Sequence, residues 1–153
     1  MNKWNENDVR EIFNELDEIT GANSKNIPIK INNRLKTTVA RYRFWTKDRI
    51  PEDFQFGKTI MNVEDKKALR DVAVHEYAHY IIDSVRKSDN AGHTPEFREL
   101  VRELGSDNVQ STCTDFVNKQ LKEARNRTQK KKSSFFYVKI WNKLLNAMIN
   151  INK

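Results

Sequence analysis

A chain of 153 residues with a net charge of +7 and a mean hydropathy of −0.83 is expected to form one domain with a core of its own. No apolar run approaches the roughly 18 residues that a transmembrane helix needs, and the first residues, Met1 to Glu6, hold no apolar signal stretch, so a cytoplasmic protein without a membrane span is expected. The lone cysteine, Cys113, excludes an internal disulfide and any paired-cysteine zinc knuckle, and reads as a small buried thiol rather than a nucleophile.

Residues 7–20 read as an amphipathic helix. Val9, Ile12, Phe13, Leu16 and Ile19 keep helical spacing, Asn7 is placed to cap the start, and Gly21 suits the left-handed residue that ends a helix. Glu11, Glu15, Asp17 and Glu18 then form a solvated outer face. Residues 27–62 read as a small sheet. Ile27, Ile29 and Ile31 alternate with polar partners, Thr37 to Trp45 is β-branched and aromatic, and a third strand is expected over Phe54 to Met61. The basic residues Arg34, Lys36, Arg41, Arg43, Lys47 and Arg49 lie along the second strand and its flanks. They suit either a phosphate-binding surface or a sheet edge guarded by charge.

Asn62 is expected to cap a long helix with Glu64 and Asp65 in its first turn. Val74, Ala78, Ile81 and Val85 form one apolar stripe, and Val72, His75, His79 and Ile82 the next, so this helix is expected to be central. It contains His75-Glu76-Tyr77-Ala78-His79. Histidines four apart share a helix face, so both imidazoles can reach one ion. Zinc suits imidazole nitrogen, and a catalytic zinc takes three protein ligands with one open position. The third candidate is His93; the chain has only three histidines, and all fall in this window. Glu76 need not ligate and is placed to take a proton from a water at the site. The polar stretch Arg86 to Gly92 reads as a loop. Thr94, Pro95 and Glu96 then start a second helix as cap, first residue and first-turn acid, with Phe97, Leu100, Val101 and Leu104 as its packing face and Gly105 at its close.

The last third differs in charge. Residues 1–105 carry 18 basic and 18 acidic side chains, whereas residues 106–153 carry 10 and 3. The densest piece holds Lys119, Lys122, Arg125, Arg127, Lys130, Lys131 and Lys132. Such a run suits a polyanion, nucleic acid phosphate above all; the competing reading is a solvated helix face without a partner. Residues 106–127 read as helical, with Val109, Phe116, Val117 and Leu121 as apolar positions. Beyond a polar stretch at Lys130 to Ser134, Tyr137, Ile140, Trp141, Leu144, Leu145 and Met148 form a second amphipathic helix, expected to pack back on the domain, with a partner or a membrane surface as the other takers.

The run from Asn33 to Arg43, the stretch His75 to His79 and the stretch Gly92-His93-Thr94-Pro95-Glu96-Phe97 together resemble the SprT-like domain of DNA-associated zinc metalloproteases, the Spartan-like group. The likeness covers residues 33–105. It departs at Thr94, where the family often has Gly after the third histidine, and in the absence of the paired-cysteine zinc ribbon that many members carry. The resemblance implies an α+β, minimal zincin-like fold: a small antiparallel sheet packed on a central metal-binding helix, followed by C-terminal helices. It implies Zn²⁺ on His75, His79 and His93, with Glu76 as the catalytic base that takes a proton from water and returns it to the leaving amine.

The expected organisation is therefore a protease domain over residues 1–105 and a basic helical extension over 106–153. The expected function is a zinc endopeptidase acting on DNA-bound or DNA-crosslinked proteins, nucleoid-associated if it binds DNA. Two other readings stay open at this point: a nucleic-acid-binding module with a structural zinc, and a metalloprotease that ignores DNA.

Overall fold

The computed structural model describes residues 2–35, 38–88 and 92–106. Cys113, the basic run Lys119 to Lys132 and the two expected C-terminal helices lie outside the described residues. Within them the fold is α+β. Helix α1 (Glu6–Thr20) is followed by strands β1 (Ile29–Ile31), β2 (Ala40–Trp45) and β3 (Ile50–Phe56), a 3-10 turn at Ile60–Asn62, helix α2 (Lys66–Tyr80), a π-helical turn at Ile81–Val85 and helix α3 (Pro95–Glu103). No helix of the described residues is long and apolar enough to cross a membrane.

Helix α1 starts two residues earlier than Asn7 suggested. Asn5 is the cap: its side chain accepts from the Asn7 N–H at 2.8 Å, while Asp8 accepts from the Asn5 N–H at 2.8 Å. That reciprocal pair satisfies two donors at once, which a cap at Asn7 would leave open. Gly21 ends the helix at φ 71°, as expected. Two details of its faces are corrected. Ile19 is 62% exposed, at the far end of the stripe in the last turn of the helix. Asp17 is buried rather than solvated, because the Tyr77 hydroxyl and the Ser24 N–H and hydroxyl all donate to its carboxylate. A charge so well hydrogen-bonded tolerates burial.

The sheet has the order β1-β3-β2 and is mixed, not antiparallel throughout. A four-residue turn joins β2 to β3 as an antiparallel hairpin, with Tyr42 opposite Phe54. Strand β1 enters on the other side of β3 and runs parallel to it, with Ile29 opposite Phe54 and Ile31 opposite Phe56. The chain must pass from one edge of the sheet to the other before the hairpin, and that crossing sets the parallel pair. The third strand is Ile50–Phe56, not Phe54 to Met61. Gly57 follows it: its N–H donates to the Val39 carbonyl at 2.7 Å, and a Cβ there would lie 3.1 Å from that same oxygen. The register slips between Arg43 and Phe44, opposite Pro51. Proline cannot donate to the ladder, and a bulge accommodates it.

Phe54 and Phe56 point to the helices. Phe54 meets Phe13 of α1 at 4.5 Å between ring centroids, and Phe13 meets Tyr77 of α2 at 5.4 Å, so one aromatic cluster joins both helices to the sheet. The alternate residues of β3 face the other way. There Asp53, with its side chain fully buried, receives Lys30 at 2.7 Å and Arg43 at 2.7 Å, and Arg41 donates to Gln55 at 2.8 Å. Three of the strand cations thus cover a polar layer on the outer side of the sheet.

Helix α2 starts at Lys66 with Asp65 as cap, accepting from the Lys67 N–H at 2.8 Å; Asn62 lies in the preceding 3-10 turn and does not cap it. Val63 is extended between them, which breaks any continuous helix from Asn62. Eleven of the fifteen residues of α2 are buried, so the expected central position holds. At its end the turn widens to π geometry over Ile81–Val85. The wider turn shifts the stripe, and Val85 comes out 49% exposed instead of continuing the apolar face.

Candidate metal centre

His75 and His79 lie one turn apart on α2, and His93 immediately precedes the cap of α3. Thr94 caps that helix by accepting from the Phe97 N–H at 3.2 Å, with Pro95 at its first position. The capped start holds the His93 backbone against α2. All three histidines therefore converge: one ring nitrogen from each lies within 4.8 Å of the other two, and the Nε2 atoms of His75 and His93 are 3.0 Å apart. Zinc–nitrogen bonds of about 2.0–2.1 Å in a tetrahedral site put ligand nitrogens roughly 3.3 Å from one another. The trio fits that spacing and that donor chemistry.

Phe97, fully buried, forms the base of the site. Its ring centroid is 4.9 Å from His75, 4.5 Å from His79 and 4.9 Å from His93. A single aromatic wedge thus limits the swing of all three imidazoles. The sequence shows Phe97 as a packing residue of α3; its contact with every candidate ligand emerges only when α3 lies across α2. Burial, then the neighbouring His79 and Arg98, push the His93 pKa below the ordinary histidine value. That favours the neutral imidazole, the form that binds metal.

Glu76 is buried beside this trio. Burial raises its pKa to about 7, against the opposing pull of His79 and of the Tyr42 N–H, which donates to Glu76 Oε2 at 2.8 Å. The donor sits on β2, at the edge of the sheet that does not pair with β3. A carboxyl that changes protonation near neutrality suits proton transfer. The Tyr42 ring is itself held, stacked on Phe44 at 5.7 Å and with its hydroxyl 2.6 Å from Ser84 Oγ.

Helix α2 is tied to α1 from within the motif. Tyr77, between the two α2 histidines, donates to Asp17 at 2.6 Å and lies 2.9 Å from the Thr20 hydroxyl. Asp71 accepts from Lys67 at 2.9 Å and from Ser106 at 2.9 Å, which ties the segment after α3 back to α2. These bonds set the helix that carries His75, Glu76 and His79.

The SprT-like family model matches residues 9–132. The chain belongs to the SprT-like family. No curated protein and no solved structure matches it. The SprT-like match extends beyond residues 33–105, reaching back into α1 and forward through the basic run. Among the residues expected to act, the structure brings His75, His79 and His93 together, with Glu76 close enough to His79 to feel its charge; Lys119, Lys122, Arg125, Arg127, Lys130, Lys131 and Lys132 lie outside the described residues. SprT-like proteins are associated with zinc metallopeptidases, so membership points to a metalloprotease-type function. Two groups at the SprT-like centre were missed by motif reading. The Tyr42 amide is a backbone donor, and only strand placement brings it to Glu76. Asp83 lies with its Oδ2 3.6 Å from His79 Nδ1; its sequence signal is the four-residue spacing from His79.

Proposed function

We propose that this protein is a zinc-dependent endopeptidase with a zincin-like fold, acting on proteins bound or crosslinked to DNA. The observation that carries the reading is the convergence of three histidine nitrogens beside a buried carboxyl whose pKa is raised to about 7. Among the described residues three candidate ligands converge, and a zinc held by three protein ligands would keep one position open, the arrangement of a catalytic rather than a structural zinc. Bound zinc supplies Lewis acidity to water and to the scissile carbonyl. The residues of the chain do the rest. His75, His79 and His93 would hold the ion. Glu76, with Oε2 fixed by the Tyr42 N–H, takes a proton from the attacking water on Oε1 and delivers it to the leaving amine. Phe97 packs against all three ligand rings and limits their movement.

The organisation we propose is a peptidase domain over residues 1–105 and a basic extension over 106–153 that carries the DNA contacts, in a cytoplasmic, nucleoid-associated protein. The charge distribution supports it, since the whole excess of +7 falls in residues 106–153.

The test is proteolysis of a DNA-binding protein by wild type and by Glu76→Gln, with no DNA, single-stranded DNA and double-stranded DNA. Cleavage that needs DNA and falls at least 100-fold in the variant is expected. Glu76-dependent cleavage indifferent to DNA would leave a metallopeptidase without the DNA role. Normal cleavage by the Gln variant would remove Glu76 as the base.

A further inference from the structure

We propose that Asp83 is the positioning residue of the metal centre, acting through His79; the inference rests on the zinc site proposed above. Asp83 is 7% exposed. Carboxylates at that depth are seldom left without a partner. Among the described residues His79 lies beside it, with Asp83 Oδ2 3.6 Å from Nδ1 of the ring. An imidazole that gives Nε2 to a metal carries its proton on Nδ1 and needs an acceptor there. A carboxylate in that place fixes the tautomer, aims the ring and makes the ligating nitrogen more basic. The separation is longer than a hydrogen bond. A small rotation of the ring or the carboxylate closes it when His79 turns toward an ion.

The surroundings favour this role over a purely structural one. Asp83 lies in the π-helical turn directly after α2, one residue before Ser84, which holds the Tyr42 hydroxyl at 2.6 Å. Tyr42 in turn gives its N–H to Glu76. The same widened turn thus supports both sides of the site: Ser84 holds Tyr42, whose amide bonds Glu76, and Asp83 aims the ligand. His75 is itself nearly buried, and His93 stands at a capped helix start. His79 sits near the open end of α2, with 20% of its side chain exposed, and has most to gain from a fixed acceptor.

The experiment uses the full chain. Zinc affinity is measured by competition with a chromophoric chelator for wild type, Asp83→Asn, Asp83→Glu and Ser84→Ala. The visible spectrum of each cobalt-loaded protein and the melting temperature of each metal-free protein are recorded alongside. Asp83→Asn is expected to weaken zinc 10–100-fold and to shift the cobalt bands, with the metal-free melting temperature little changed. Asp83→Glu should recover part of the affinity, and Ser84→Ala should leave it intact. Wild-type affinity and spectrum in Asp83→Asn would overturn the proposal. So would a loss of affinity that merely follows a loss of folding in the metal-free protein. A wild type that binds no zinc would overturn the underlying metal site as well, which separates that failure from a failure of Asp83 alone.

Discussion

Glu76 combines two demands that oppose each other. The proton transfer proposed for it suits a buried carboxyl with a raised pKa, yet burial penalises the charged form. In the metal-free protein the folded carboxyl keeps its proton up to about 7, against 4.5 for the free group. The folded state therefore binds more protons than the unfolded state across that interval, and stability falls as pH rises through it. At 1.36 kcal/mol per pKa unit, the loss is on the order of 3 kcal/mol once pH passes 7. Glu76→Gln keeps an oxygen for the Tyr42 N–H but has no charge to bury. With zinc removed by a chelator, the Gln variant is expected to match wild type near pH 4 and to exceed it at pH 8 by that amount. Urea unfolding at the two pH values measures it. An advantage equal at both would show that the carboxylate is not being held against its charge.

At the scale of elements, the outer layer of the sheet does for β3 what the aromatic cluster does on the inner side. Asp53 has a fully buried side chain. Its hydrogen bond from Arg43, then those from Lys30 and Gln55, hold its carboxyl well below the usual carboxylate range, more than offsetting the cost of burial. A depressed folded pKa adds stability above the ordinary value of 3.8 and gives it up as pH falls toward the folded value. Asp53→Asn is expected to be less stable than wild type at pH 7, because Lys30 and Arg43 lose their anion. It should then lose little more between pH 4 and pH 2, where wild type declines. Circular dichroism followed through an acid titration separates the two; parallel curves would count against Asp53 as the acid-sensitive group. Helix α3 shows the complementary case. Thr94 and Pro95 start it, and its first buried residue, Phe97, is the ring against which all three histidines rest.

For the whole molecule, charge rather than packing decides the proposed partner. Binding to random-sequence DNA by a run of lysines and arginines releases counterions, so the logarithm of affinity falls linearly with the logarithm of salt. Replacing Lys130, Lys131 and Lys132 by Ala is expected to lower the magnitude of that slope by about 3 and to weaken all DNA sequences alike. Fluorescence anisotropy over a salt series reads the slope, and an unchanged slope would move the DNA contacts elsewhere.

Local signals carried most of the elements. Helix α1, the Gly21 stop, the Thr94–Pro95 start of α3 and the pairing of His75 with His79 all depend on spacing or on caps within a few residues, which a linear sequence records. The same locality explains the errors. Asn5 competes with Asn7 as cap, Asp65 with Asn62, and β3 begins at Ile50 because it pairs with Trp45 across the hairpin. Those choices depend on which neighbour is near in space. The parallel pairing of β1 with β3 depends on a crossing of the sheet that no periodicity encodes. The sequence by itself determined which side chains can bind a metal and which carboxyl stands beside them. Only the tertiary structure decided what holds them: the Tyr42 amide on Glu76, Phe97 under three rings and Asp83 beside His79. The reason is physical. Ligand type and helical phase are properties of a segment, whereas burial, pKa and orientation are properties of what folds against it.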